Sequence, residues 1–223
     1  MKKILVCLAI GISILCLVSI SQATLITSSA TIDSQVIVDF SEFSGDWIYT
    51  SGPVQIGNPV NLDVTWESTY SSSVIGNVNY YLGDNGSWDS ARNGYVGLNT
   101  SSGDMTILFN DGPVSAVGGF LNYAPGHGTM SISALDASLA ILESYSPSIS
   151  TPGGLNEGAF YGISRGDADI YGFRISNAYV VMDDLTFGGS GGDPIPEPCT
   201  MLLFGTGLVG LAGIGRRRFR RNS

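Results

Sequence analysis

Cysteine is missing from the middle of this chain. Of its 223 residues, only Cys7, Cys16 and Cys199 are cysteine, all of them near the ends. The long stretch between Cys16 and Cys199 therefore contains no disulfide and no thiolate metal site. Histidine is almost as scarce, with His127 the single example. A zinc centre built on several imidazoles is excluded, and a Ser-His-Asp relay would have to use His127. That residue sits in Ala124-Pro125-Gly126-His127-Gly128, a turn composition that presents it to solvent.

Positive charge is the next thing lacking. All 19 acidic residues fall between Asp33 and Glu197. Of the ten basic residues, Lys2 and Lys3 open the chain and five arginines crowd its C-terminal end. Only Arg92, Arg165 and Arg174 lie between, leaving a formal charge of −16 and no lysine there. A field of that sign repels nucleic acid and anionic lipid and draws divalent cations, although solubility alone is an equal explanation. Helical patterning is also absent: before residue 198 no window of a dozen residues keeps an apolar stripe of period 3.6.

What is present is β texture. Val, Ile, Tyr and Phe alternate with Ser, Thr, Asn and Asp in short runs broken by Gly-Asn, Gly-Asp, Asn-Gly and Pro-Gly. Strands are predicted near 35–40, 60–66, 73–82, 105–109, 114–123, 129–135, 138–145, 159–163, 170–175 and 179–187. Met130-Ser131-Ile132-Ser133-Ala134 gives one apolar and one hydroxylated face, the period of a half-buried strand. Many short strands at this spacing imply an all-β fold, an antiparallel β-sandwich of jelly-roll type, over residues 24–187. Gly188-Gly189-Ser190-Gly191-Gly192-Asp193 then reads as a flexible linker, 188–193.

The two ends read as addresses. Residues 1–23 have a basic start, an apolar run from Ile4 to Ile20, and Ser21-Gln22-Ala23. That is a secretory signal peptide handled by the secretion translocon and cut by signal peptidase between Ala23 and Thr24. At the other end stand Pro194-Ile195-Pro196-Glu197-Pro198, an uncharged run over 201–215, and Arg216-Arg217-Arg218-Phe219-Arg220-Arg221. As a helix from Pro198 to Gly215 the run reaches about 27 Å, close to the ~30 Å hydrocarbon core of a bilayer. The arginines act as a cytoplasmic stop for this single transmembrane helix.

Pro196-Glu197-Pro198, a short glycine-containing span and a terminal arginine cluster, in that order, resemble the PEP-CTERM sorting signal of Gram-negative bacteria over residues 194–221. The resemblance implies an exported protein, inserted transiently in the membrane and processed by an exosortase. That enzyme removes the helix and passes the body to the cell surface or an extracellular, biofilm-type matrix. Pro196, Glu197, Pro198, Arg216, Arg217 and Arg218 are then the sorting residues. Cys199 stands where many members of the family have Ser. The segments at 113–123, 159–163 and 179–187 are similar to strands of sandwich bodies found with this signal, which implies a lectin-like or galactose-binding-like fold and is nearly silent on function.

The carboxylates invite a chemical reading, because Ca²⁺ takes six to eight oxygen ligands from loops. One expected cluster joins the first and last strands of the sandwich: Asp184 with Asp39 or Glu42. Asp84, Asn85 and Asp89 on one turn, and Asp167 and Asp169 on another, are further candidates. Among the aromatic residues, Trp88 is the best placed on an exposed loop to stack on a sugar ring. Three classes of function stay open. One is a non-catalytic surface or matrix protein, carbohydrate-binding in one version, whose partner is extracellular polysaccharide. Another is a secreted glycan-processing enzyme using two carboxylates. The third is an adhesin with a protein partner.

Overall fold

A computed structural model describes residues 23–76, 92, 94–122, 126–149 and 157–189. They build one body of fourteen strands with no α-helix among the described residues. The strands are β1 (Thr24–Ile26), β2 (Val36–Val38), β3 (Trp47–Tyr49), β4 (Val54–Gln55), β5 (Val64–Ser68), β6 (Val74–Gly76) and β7 (Tyr95–Gly97). The second half of the body adds β8 (Asp104–Phe109), β9 (Ala116–Asn122), β10 (Ser131–Leu135), β11 (Ile141–Tyr145), β12 (Ala159–Ser164), β13 (Gly172–Ser176) and β14 (Val181–Gly188). Three short 3-10 turns, Ser29–Thr31, Ser41–Phe43 and Asn58–Val60, connect the early strands.

All pairings are antiparallel and they form two sheets. The first runs β1-β12-β9-β14-β7-β6-β3, with β2 also on β14; the second runs β11-β10-β13-β8-β5-β4. Alternation explains the sandwich. Met105, Ile107 and Phe109 of β8, Phe173 and Ile175 of β13, Ile132 and Ala134 of β10, and Val64 and Trp66 of β5 all face one way. Val117 and Leu121 of β9 and Ile163 of β12 meet them from the first sheet in a single core. Burying a side chain of this size contributes about 1.5–3 kcal/mol, so this core is the main source of stability for a body without disulfides. The expected antiparallel sandwich is the fold observed.

The long last strand holds the first sheet together. β14 pairs with β9 on one flank, and on the other with β7 at Val181 and Met182 and with β2 at Leu185, Thr186 and Phe187. Strict alternation over 179–187 would drive Asp184 into the core beside Met182. Instead the register shifts between Asp183 and Thr186, and Asp184 takes a left-handed backbone with φ of 47°. That β-bulge adds one residue and flips the phase, so Met182, Leu185 and Phe187 all reach the core. Val181 therefore belongs to a small cluster on the outer face, with Val74, Tyr95, Trp47 and Phe120. Aspartate tolerates the left-handed region better than most side chains.

Close packing between β9 and β12 depends on glycine. Gly118 and Gly162 are Cα partners, and a Cβ on Gly118 would lie 2.7 Å from the Tyr161 carbonyl and 2.8 Å from the Gly162 Cα.

Candidate functional site

The bulge has a charged companion. Arg92 donates from Nη1 to Asp183 Oδ2 at 3.1 Å and to Asp184 Oδ2 at 2.9 Å, while its guanidinium lies 3.3 Å over the Phe120 ring. Asp183 Oδ1 accepts the Asp184 N–H at 2.6 Å. Burial, and then the neighbouring Asp184 charge, push the Asp183 carboxyl up to about 7 in spite of those donors. Asp184 is thus engaged by arginine. Asp39 Oδ1 accepts from the Ser41 backbone N–H and hydroxyl, and Glu42 is partly buried with its pKa raised by desolvation. Among the described residues no group of three or more His, Cys, Asp or Glu side chains is placed to hold a metal. The expected Ca²⁺ cluster, Asp184 with Asp39 or Glu42, is not among such groups: Asp184 is held by Arg92, and Asp39 by the Ser41 backbone. The bulge that keeps Asp184 out of the core also hands it to Arg92. Trp88 and the turn with Asp84, Asn85 and Asp89 lie outside the described residues, as does the 201–215 span. Asp169 accepts from Arg165 at 2.6 and 2.8 Å.

His127 packs edge-on to Tyr179, with ring centroids 5.0 Å apart. The letters Gly-x-Ser-x-Gly do occur, as Gly162-Ile163-Ser164-Arg165-Gly166. A nucleophile elbow needs a strand, a sharp turn and a helix. Here Ser164 ends β12, paired to Thr24 and Ala116, and no helix follows.

Both ends of the body leave by one pole. Thr24 pairs with Ser164, Ser164 with Ala116, and Ala116 with Gly188, so all four stand in one cross-strand row. At that pole a cavity of about 480 Å³ opens between the sheets, floored by Val64, Phe109, Val114 and Phe187, with Asp63 and Asp111 at its mouth.

A second cleft, of about 290 Å³, lies at the opposite pole and is polar: Ser51, Glu67, Ser68, Thr69, Asp104 and Thr106 line it. Its walls are fixed by hydrogen bonds. Asp104 N–H donates to Thr69 Oγ1 at 2.9 Å, Thr69 N–H returns to the Asp104 carbonyl at 2.9 Å, and Ser176 Oγ donates to Asp104 Oδ1 at 2.5 Å. Gly52, at φ 76°, lets the wall press on β5; a Cβ there would stand 2.6 Å from the Trp66 carbonyl.

From this cleft a polar row crosses the outer face of the second sheet. Glu67 pairs with Thr106, Thr106 with Arg174, Arg174 with Ser133 and Ser133 with Ser144. Five strands at ~4.8 Å give a row of about 19 Å. Ser133 Oγ donates to Ser144 Oγ at 2.9 Å, whereas Arg174 Nε is buried and has no hydrogen-bond partner. The hydroxylated alternation at 130–134 pointed to one strand of this face. The rest of the row depends on strand order, which sequence pattern does not carry.

The comparisons with known proteins bear on the tail. Its 28 residues match the family model described as the PEP-CTERM protein-sorting motif over residues 194–221. Residues 194–221 carry that sorting signal. A PEP-CTERM motif marks an exported protein held by a C-terminal anchor until an exosortase processes it. No curated protein matches the chain. Among solved structures, the enzymatically active domain of tailspike protein 4 of bacteriophage CBA120 is similar at 14% identity and a TM-score of 0.32. It covers 66% of this chain and 22% of that one, and a likeness of this size carries no weight for function.

Proposed function

We propose that the PEP-CTERM protein is a non-catalytic component of the cell surface or exopolysaccharide matrix, and that its body lays a polysaccharide chain across the outer face of the second sheet. The observation behind this reading is the polar row from Glu67 through Thr106 and Arg174 to Ser133 and Ser144, continuous with the cleft at the pole away from both chain exits. Thr106 and Ser133 are buried within the row, and the accessible groups are Glu67, Arg174 and Ser144. A carboxylate, a guanidinium and a hydroxyl held at strand spacing match the donors and acceptors that a sugar chain repeats along its length. A glycan array probed with the exported protein tests this. Binding should weaken several-fold in Ser144→Ala and Glu67→Gln, and an array without signal defeats the reading.

One observation favours a second reading as a glycan-processing enzyme, because Glu67 and Asp104 share the polar cleft. Two carboxylates flanking a scissile bond are the machinery of glycoside hydrolysis. Incubation with any array-positive glycan separates the two: new reducing ends that vanish in Glu67→Gln and in Asp104→Asn would make the protein an enzyme.

A further inference from the structure

Three arginines are described in this body, and two are engaged by its own carboxylates: Arg92 by Asp183 and Asp184, Arg165 by Asp169. Arg174 forms no salt bridge among the described residues, and its Nε is buried without an acceptor. It stands midway along the polar row, with Thr106 on one side and Ser133 on the other. A guanidinium nitrogen without an acceptor is uncommon in a chain so rich in carboxylates, and Arg174 as a whole is only half-buried, which leaves the group open to an acceptor from outside. The fork geometry of arginine matches a carboxylate through two parallel hydrogen bonds.

We propose that Arg174 receives a carboxylate of an acidic polysaccharide, so that the ligand of this face is a uronic-acid polymer rather than a neutral one. This rests on the reading of the outer face as a glycan surface. The formal −16 opposes a polyanion only at long range. At physiological salt the screening length is ~8 Å, so distant acids are muted while a contact at Arg174 is not. The acids of this face are Glu67 and Asp104 at one end, where Ser176 already holds one oxygen of Asp104, and Asp63 at the other, where Asn110 and Gln55 donate to it. Their remaining oxygens accept from sugar hydroxyls, and Arg174 alone selects for the acid.

The test uses the exported protein and one polymer in two forms, polygalacturonate and its carboxyl-reduced derivative, in ~0.15 M salt. The native polymer should bind about tenfold more tightly, the scale of one charge-assisted bidentate contact. Arg174→Gln should bring the native polymer down to the level of the reduced one, and Arg174→Lys should retain part of the difference. Raising the salt to ~1 M should erase the preference in the unaltered protein, a measurement that stands even if the variants do not fold. Equal binding of the two polymers, or a preference that survives Arg174→Gln, overturns the assignment while leaving a glycan surface intact. Binding of neither polymer removes both.

Discussion

Arg92 Nη1 lies 3.1 Å from Asp183 Oδ2, joining a residue of the β6–β7 connection to the bulge of β14. The contact does not keep Asp183 acidic. Burial and the adjacent Asp184 leave its carboxyl at about 7 in the fold, against an ordinary value of 3.8. A raised carboxyl favours the folded state while protonated. Its contribution is complete below the ordinary value and is lost as pH rises through about 7. Melting should therefore fall by several degrees between pH 4 and pH 8, on the order of a few kcal/mol. Glu42, raised by burial and by Asp39, adds loss of the same sign at the acid end of that window. Asp183→Asn should flatten the upper part of the curve and leave the Glu42 part in place, with differential scanning calorimetry as the measurement.

Gly162 and Gly119 should tolerate alanine unequally. A Cβ on Gly162 collides with the Val117 carbonyl and lies 2.8 Å from the Gly118 Cα, and both are backbone of the paired strand. On Gly119 the new atom meets Cγ and Sδ of Met182 at 2.6 Å, the middle of a flexible side chain. Backbone cannot yield without parting β9 from β12, whereas methionine can change rotamer. Urea unfolding should show Gly162→Ala losing about 2–4 kcal/mol and Gly119→Ala about half as much.

The β10–β11 hairpin hangs on one carboxylate. Asp136 Oδ1 accepts the Ser138 N–H at 2.8 Å, the Ser138 hydroxyl at 2.7 Å and the Ala140 N–H at 2.9 Å. The Ser138 hydroxyl, and then the Ala140 N–H, hold its pKa below the ordinary value. The support is present above the ordinary value and is lost as pH falls through the lower one. Asp136→Ala should speed amide exchange at Ser138 and Ala140 and leave β9 and β12 unchanged, as read by hydrogen exchange with mass spectrometry.

Processing has a direct readout. Protein recovered from the cell surface should lack the 201–215 span together with Arg216, Arg217 and Arg218. Glu197→Ala should leave the intact tail in the inner membrane. Intact mass measurement distinguishes the two forms.

The fold was legible where strands are long enough to show their period. Residues 105–109, 129–135 and 159–163 read as strands and became β8, β10 and β12 with ends moved by a residue or two. The three-residue strands β1, β3 and β7 and the two-residue β4 were missed, since such runs show no alternation. Trp47-Ile48-Tyr49 did offer a signal, three strand-forming residues in succession. The sites fared differently for a physical reason. Expecting Asp184 beside Asp39 required β2 next to β14, and that pairing is present. What the sequence did not carry was the partner of Asp184: Arg92, distant in sequence, meets it at a bulge that periodicity hides. The Arg174 row needed the order of five strands, which no local pattern encodes.

The position of β14 also fixes a schedule. It is the last strand before the sorting segment, yet β9, β7 and β2 all take it as a partner. A chain threaded through a translocon from its N terminus exposes those three strands early and leaves their shared neighbour until the end. From Gly188 to Pro196 even a fully stretched chain covers only about 26–29 Å. In a chain exported in that order the larger sheet cannot close before β14 has emerged. Export in that order would bring the completion of this sheet and the emergence of the sorting motif close together in time, because only a short stretch of chain separates β14 from Pro196.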